Sequence, residues 1–173
     1  SNVPLFAWGW SYYTNLIPQY QPVENFMPIQ LLRNQFINLG LGGKGSVQLS
    51  GRVIMSNNTF TDVRTPASAY ELRSLFPIAG HANFTFVDNL IQDSKATFIM
   101  AHLSFYSIKY TIEDIQIEFA RNTVINQSGS PVLQYFDPYK AGNLVRMADN
   151  VYRDSNVPLF AWGWSAMACP GTP

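Results

Sequence analysis

The four tryptophans of the chain all lie in two copies of one undecapeptide, SNVPLFAWGWS, at residues 1–11 and 155–165. In an extended segment, two residues at spacing i, i+2 share one face, so each copy would carry a pair of indoles on the same side. Such a pair can stack on sugar rings or on nucleobases, or it can pack against the sheet or a neighbouring subunit. The candidate residues for subunit contact or glycan stacking are Trp8, Trp10, Trp162 and Trp164.

The undecapeptide is too apolar to be a solvated tail. Val, Pro, Leu, Phe, Ala and two Trp within eleven residues would leave a sizeable apolar patch in water. We therefore expect at least one copy to be buried. A duplication, a stitched chain, or two copies that fill equivalent positions in neighbouring subunits would each explain the repeat.

Histidines and carboxylates give little support for catalysis. The chain has two histidines, His81 in a predicted turn and His102, which are too few to indicate a metal site. Glu113, Asp114 and Glu118 form an acidic cluster that could only act in glycoside hydrolysis if two of them faced each other across a cleft. Alternation along a strand favours a solvated face instead. A Ser-His-Asp triad stays open, but no G-x-S-x-G elbow is present, and we predict no enzyme, no cofactor and no metal.

A glycine-rich segment, GLGGKG at residues 40–45, matches G-x-G-x-x-G. A dinucleotide site needs a strand before this motif and a helix after it. Here a helix-like stretch precedes the motif and a strand follows it, so the segment is predicted to be a loop that enters a strand.

Composition favours a packed protein with covered surfaces. Of the 173 residues, 47% are hydrophobic and 14% aromatic, but only 13% are charged, about half the usual share. Eleven basic residues balance eleven acidic ones, so charge gives no argument for nucleic-acid binding. No apolar run approaches the length of a membrane span, so we predict no membrane partner. The single cysteine, Cys169, excludes an internal disulfide.

Strand patterns dominate the chain. Alternating apolar residues predict strands at 46–55, 82–87 and 97–119, with two more at 123–126 and 132–136. The long stretch changes phase near Ser107 and Glu113, where a bulge or turn is needed. Two short helices are predicted at residues 22–33 and 68–75.

Seven or eight strands without a helix after each strand do not fit βαβ units. We therefore predict an all-β fold: an antiparallel β-sandwich or jelly roll with two short helices in loops. The prediction treats residues 1–173 as a single domain.

One segment has a family resemblance. Residues 10–27, WSYYTNLIPQYQPVENFM, resemble the part of parvovirus-like capsid proteins, especially of insect densoviruses, in which a Trp-containing strand leads into a short helix. GSVQLSGRVIM at 45–55 is similar to the strand that follows there, and SNNTFT at 56–61 to its polar loop. The resemblance covers at most residues 8–61 and implies a jelly roll that assembles into an icosahedral shell.

These observations lead to one functional prediction and one alternative. The first is a structural subunit of a viral capsid, located in the virion, assembled inside the host cell, and associating with copies of itself through aromatic-rich, low-charge surfaces. A host-cell glycan or receptor is a further predicted partner. The alternative is a β-sandwich carbohydrate-binding module that uses the paired tryptophans.

Overall fold

The computed structural model describes residues 28–39, 49–64, 74–101, 115–135 and 143–162. Within these ranges the regular structure is entirely β. The strands are β1 (Ile29–Leu32), β2 (Gln35–Ile37), β3 (Leu49–Ser56), β4 (Thr59–Thr61), β5 (Ser74–Val87), β6 (Leu90–Gln92), β7 (Thr97–Ala101), β8 (Ile115–Ala120), β9 (Thr123–Ile125), β10 (Leu133–Tyr135), β11 (Leu144–Ala148), β12 (Val151–Arg153) and β13 (Phe160–Trp162).

Every strand pairing in the described ranges is parallel. The predicted antiparallel sandwich or jelly roll is therefore wrong. Strand alternation is the same in a sandwich and in a stack of parallel strands, so the pattern could not distinguish them. What differs is the turn: a hairpin reverses the chain beside the strand it leaves, whereas here the chain continues into a new sheet face.

The strands form two parallel sheets, one of eight strands and one of five, and the larger sheet divides at β5 into two faces. Face A holds β1, β3, the second half of β5 (Ala82–Val87), β8 and β11; face B is the five-stranded sheet of β2, β4, β6, β9 and β12; and face C holds the first half of β5 (Ser74–Ile78), β7, β10 and β13. The chain passes through A, B and C in turn, and each passage is called a coil; coil 1 is described on faces A and B alone. Coils 1 to 5 begin with β1, β3, Ala82–Val87, β8 and β11. This architecture is a parallel β-solenoid.

The core of the solenoid is a set of inward-facing apolar side chains that stack from coil to coil. Phe60, Phe84, Phe86 and Phe119 are each at most 1% exposed. Phe86 lies parallel to Phe119 with ring centroids 5.3 Å apart, and Phe36 stacks on Phe60 at 4.7 Å. Offset stacking of this kind adds to simple burial, so the same column of aromatic residues ties neighbouring coils together.

Within the described residues the predicted strands are largely confirmed, and the residues predicted to face inward are buried wherever their side chains are described. Val53 and Met55 in β3, and Ile117 and Phe119 in β8, are buried as expected. In β7, both Phe98 and Ile99 are buried, so alternation alone did not describe this strand. The phase changes predicted near Ser107 and Glu113 lie outside the described residues.

The predicted helices are wrong wherever the structure describes them. Residues 29–32 form β1, and residues 74–75 belong to β5; the remaining parts of both segments lie outside the described ranges. His81, which we expected in a turn, lies within β5. Pro28 directly precedes β1. Proline is tolerated there because it has no backbone N–H to donate to the strand pairing.

Candidate functional site

Each bend from face A to face B contains one residue in the left-handed backbone region. The φ angles range from 54° to 58°. The backbone N–H of each of the first four donates to the carbonyl that directly precedes the corresponding residue of the next coil, so the five residues lie in a single column along the solenoid. Asn and Asp adopt this conformation more readily than other non-glycine residues. The column consists of Arg33, Asn57, Asp88, Arg121 and Asp149.

An asparagine follows each of these residues, and the five asparagines form a hydrogen-bonded ladder. The backbone N–H of each of the first four asparagines donates to the Oδ1 of the asparagine in the next coil, at 2.8–2.9 Å. The Nδ2 groups from the second asparagine onward donate to a carbonyl of the preceding coil, at 2.8–3.1 Å. The ladder runs through Asn34, Asn58, Asn89, Asn122 and Asn150.

The ladder explains how polar side chains lie in the interior of the solenoid. Asn58, Asn89 and Asn122 are at most 1% exposed, and a buried amide without partners would cost free energy. Here both the Oδ1 and the Nδ2 of each are used, so the polar column joins three coils without an unpaired group on its side chains.

The sequence carries a signal for this ladder that our predictions did not use. A six-residue pattern recurs once per coil: an αL residue, an asparagine, an outward residue, an inward apolar residue, an outward residue, and Asn or Asp. The five copies are RNQFIN at 33–38, NNTFTD at 57–62, DNLIQD at 88–93, RNTVIN at 121–126 and DNVYRD at 149–154. The unequal spacing between copies, 24, 31, 33 and 28 residues, hides the repeat.

The second copy of the undecapeptide forms the bend from face B to face C in coil 5, and its strand. Ser155 Oγ accepts a hydrogen bond from the Gln127 N–H and donates to the Arg153 carbonyl, both at 2.9 Å. The Leu133 N–H of coil 4 donates to the Leu159 carbonyl at 3.1 Å. Leu159 and Phe160 pack against the core, so this copy is a packing segment, and β13 stacks on β10.

Tyr152 of β12, on face B, also binds the second copy of the undecapeptide. Its hydroxyl donates to the Val157 carbonyl. Partial burial raises the pKa of the Tyr152 phenol, so the hydroxyl keeps its proton and remains a donor throughout the neutral pH range.

Three exposed ion pairs lie on the solenoid surface among the described residues. Arg121 forms a two-pronged contact with Asp88 of the preceding coil, at 2.8 and 3.0 Å. The hydrogen bonds from Arg121 hold the pKa of the Asp88 carboxyl below its usual range. Glu118 pairs with Arg146 at 2.9 Å, so Glu118 belongs to a solvated face, as predicted. Asp62 and Arg64 form the third pair.

The structure describes few of the residues considered for chemistry. Trp162 ends β13, whereas Trp8, Trp10 and Trp164 lie outside the described ranges. His102, Glu113, Asp114, Cys169 and the 40–45 segment also lie outside. The segment directly before that motif contains β2, a strand.

In the part of the chain that the structure describes, no three His, Cys, Asp or Glu side chains form a group that could hold a metal ion. The same residues contain no helix that could cross a membrane. No family model matches the chain, and neither curated proteins nor solved structures show a significant match to it.

Proposed function

We propose that this chain is a structural protein that assembles with copies of itself. The observation that carries the proposal is the asparagine ladder, which runs without interruption through coils 1 to 5. In a solenoid each coil is bonded only to its neighbours, so the stack is a stiff, one-dimensional unit that propagates by repetition.

The composition supports the same proposal. Only 13% of the residues are charged and 14% are aromatic, which favours surfaces that become covered in an assembly.

A viral capsid subunit located in the virion is the specific form of this role that the sequence predicts. The predicted jelly roll no longer supports the capsid role, because the strands are parallel. The low charge and the high aromatic content of the chain still support it. The glycan-binding alternative depends on the tryptophan pairs, and a tryptophan fluorescence titration with a panel of oligosaccharides tests it.

Sedimentation velocity over a concentration series tests the structural role. We expect species larger than the monomer to grow with concentration, and regular particles or fibres to appear on electron micrographs. A single monomeric species at every micromolar concentration would contradict the proposal.

A further inference from the structure

The first and last coils have sheet edges that are paired on one side only. Among the described residues, β1 and β2 pair with β3 and β4 alone, and β11 and β12 pair with β8 and β9 alone. Such edges present backbone N–H and C=O groups that can pair with another chain. The question is whether the two edges fit each other.

The hydrogen bonds of the asparagine ladder all run in one direction along the solenoid. The ladder therefore ends in a donor at coil 5 and in an acceptor at coil 1. Each backbone N–H points to the Oδ1 of the following coil. Within the described ranges, the last N–H of the ladder, on Asn150, has no acceptor, and the first Oδ1, on Asn34, has no donor. The Nδ2 of Asn34 lacks a preceding carbonyl and turns back to Leu32 at 3.3 Å, the longest of these contacts.

The charges at the bends follow the same order. Asp88 in coil 3 pairs with Arg121 in coil 4, so an acidic residue is followed by a basic residue in the next coil. Coil 5 ends this column with Asp149, and coil 1 begins it with Arg33; both side chains are exposed. If coil 1 of a second copy followed coil 5, Asp149 and Arg33 would occupy the positions of Asp88 and Arg121.

Exposed apolar side chains concentrate at the same two coils. Among the side chains that the structure describes, the large hydrophobic ones that are exposed all belong to coil 1 or coil 5: Leu32 at 36%, Ile37 at 62%, Leu144 at 54% and Val151 at 52%. Inward-facing residues of coil 5, including Val145 and Met147, are only half-buried although they pack on the core. An interface at these coils would remove this apolar surface from water.

We infer that the chain associates head to tail, with coil 1 of one copy stacked on coil 5 of another. The inference rests on the proposed structural function and specifies the contact through which it works. The Asn150 N–H donates to Asn34 Oδ1 of the second copy, Asn34 Nδ2 donates to the Met147 carbonyl, and Asp149 pairs with Arg33. This interface joins two different surfaces and repeats along the solenoid axis, so it does not close into a ring and the product is an open filament.

A charge swap tests the contact in the full-length chain. Arg33→Asp sets two carboxylates against each other where an ion pair stood, and we expect it to weaken association, measured by sedimentation velocity, at least about tenfold. Asp is well tolerated at the left-handed position that Arg33 occupies, so this variant should fold. The double variant R33D/D149R restores the pair in reversed order and should recover association; Arg121, which occupies the same bend column, shows that arginine fits there.

Arg52→Asp is the matched control, since it makes the same charge change on an exposed arginine of coil 2. It should leave association unchanged. If Arg33→Asp assembles as well as the wild type, or if Arg52→Asp disrupts assembly equally, the head-to-tail contact is overturned while a structural role stands. A wild-type chain that never assembles overturns both, and indicates that other parts of the same chain cover the end coils.

Discussion

At the scale of single residues, the fold depends on a left-handed residue followed by asparagine. Among the described residues, ten non-glycine residues have positive φ and eight of these are Asn or Asp; the ten mark the bend from face A to face B and the bend from face B to face C in each coil. The left-handed residue turns the chain onto the next face, and the asparagine bonds the coils above and below it. Neither residue alone produces a solenoid, because the turn sets direction and the ladder sets register.

Replacement of a central ladder residue should therefore be costly. Asn89→Ala removes the acceptor of the buried Asn58 N–H and the donor to the Met55 carbonyl. Each buried group left unpaired costs about 1–3 kcal/mol, so we expect a loss of about 2–5 kcal/mol in the free energy of unfolding, measured by urea denaturation. Asn34→Ala, at the exposed end of the ladder, is the control and should cost much less. Equal losses for the two variants would contradict a ladder whose energy comes from burial.

At the scale of elements, the second copy of the undecapeptide is part of the solenoid. Its second copy supplies a bend, held by Ser155, and a strand that stacks on β10. We expected at least one copy to be buried; in the second copy Leu159 and Phe160 pack against the core but are only half-buried, so the expectation is met in part. The first copy, residues 1–11, lies outside the described residues.

A serine substitution tests the bend and offers a comparison within one chain. Ser155→Ala removes the acceptor of the Gln127 N–H, and loss of such a side-chain cap costs about 1 kcal/mol. We expect a correspondingly lower midpoint of thermal unfolding by circular dichroism. Ser1→Ala, the same change in the identical sequence, is measured in parallel; an equal loss would indicate that the first copy also caps a bend. An unchanged midpoint for Ser155→Ala would contradict the bend described here.

Individual elements were more predictable than their arrangement. Alternation located β3, β8 and β9, since inward residues such as Met55 and Phe119 must alternate with solvated ones in any half-buried sheet. Parallel stacking depends on which strands become neighbours, and these lie 24 to 33 residues apart. The unequal number of residues from one coil to the next hides that spacing. The helix predicted over residues 22–33 was wrong at β1 because pairing with β3 outweighs local helix signals.

The same limit applied to the candidate site. Tryptophan and histidine side chains are chemically distinctive and were weighed as site residues, yet the described geometry depends on asparagines. The six-residue pattern around Asn58, Asn89 and Asn122 was visible in the sequence. It is a weak signal in any one copy and becomes specific only when all five copies are aligned.

At the scale of the whole molecule, a solenoid is stable only to the extent that its coils are stacked. Interior coils are bonded on both sides, whereas coils 1 and 5 are bonded on one side among the described residues. Natural solenoids need a polar cap on their terminal repeats to remain soluble as single molecules. Here the terminal coils carry the exposed apolar residues, which favours association over isolation.

Association should therefore stabilise the fold in a concentration-dependent way. Binding that occurs only between folded chains shifts the unfolding equilibrium by mass action, so we expect the midpoint of thermal unfolding of the wild type to rise as protein concentration increases. Arg33→Asp should remove most of that rise, because it weakens the contact without touching the core, and Arg52→Asp should keep it. Differential scanning calorimetry over a concentration series provides the measurement. A wild-type midpoint that stays constant while filaments form would mean that stacking adds no stability to the coils, and would contradict this account of the ends.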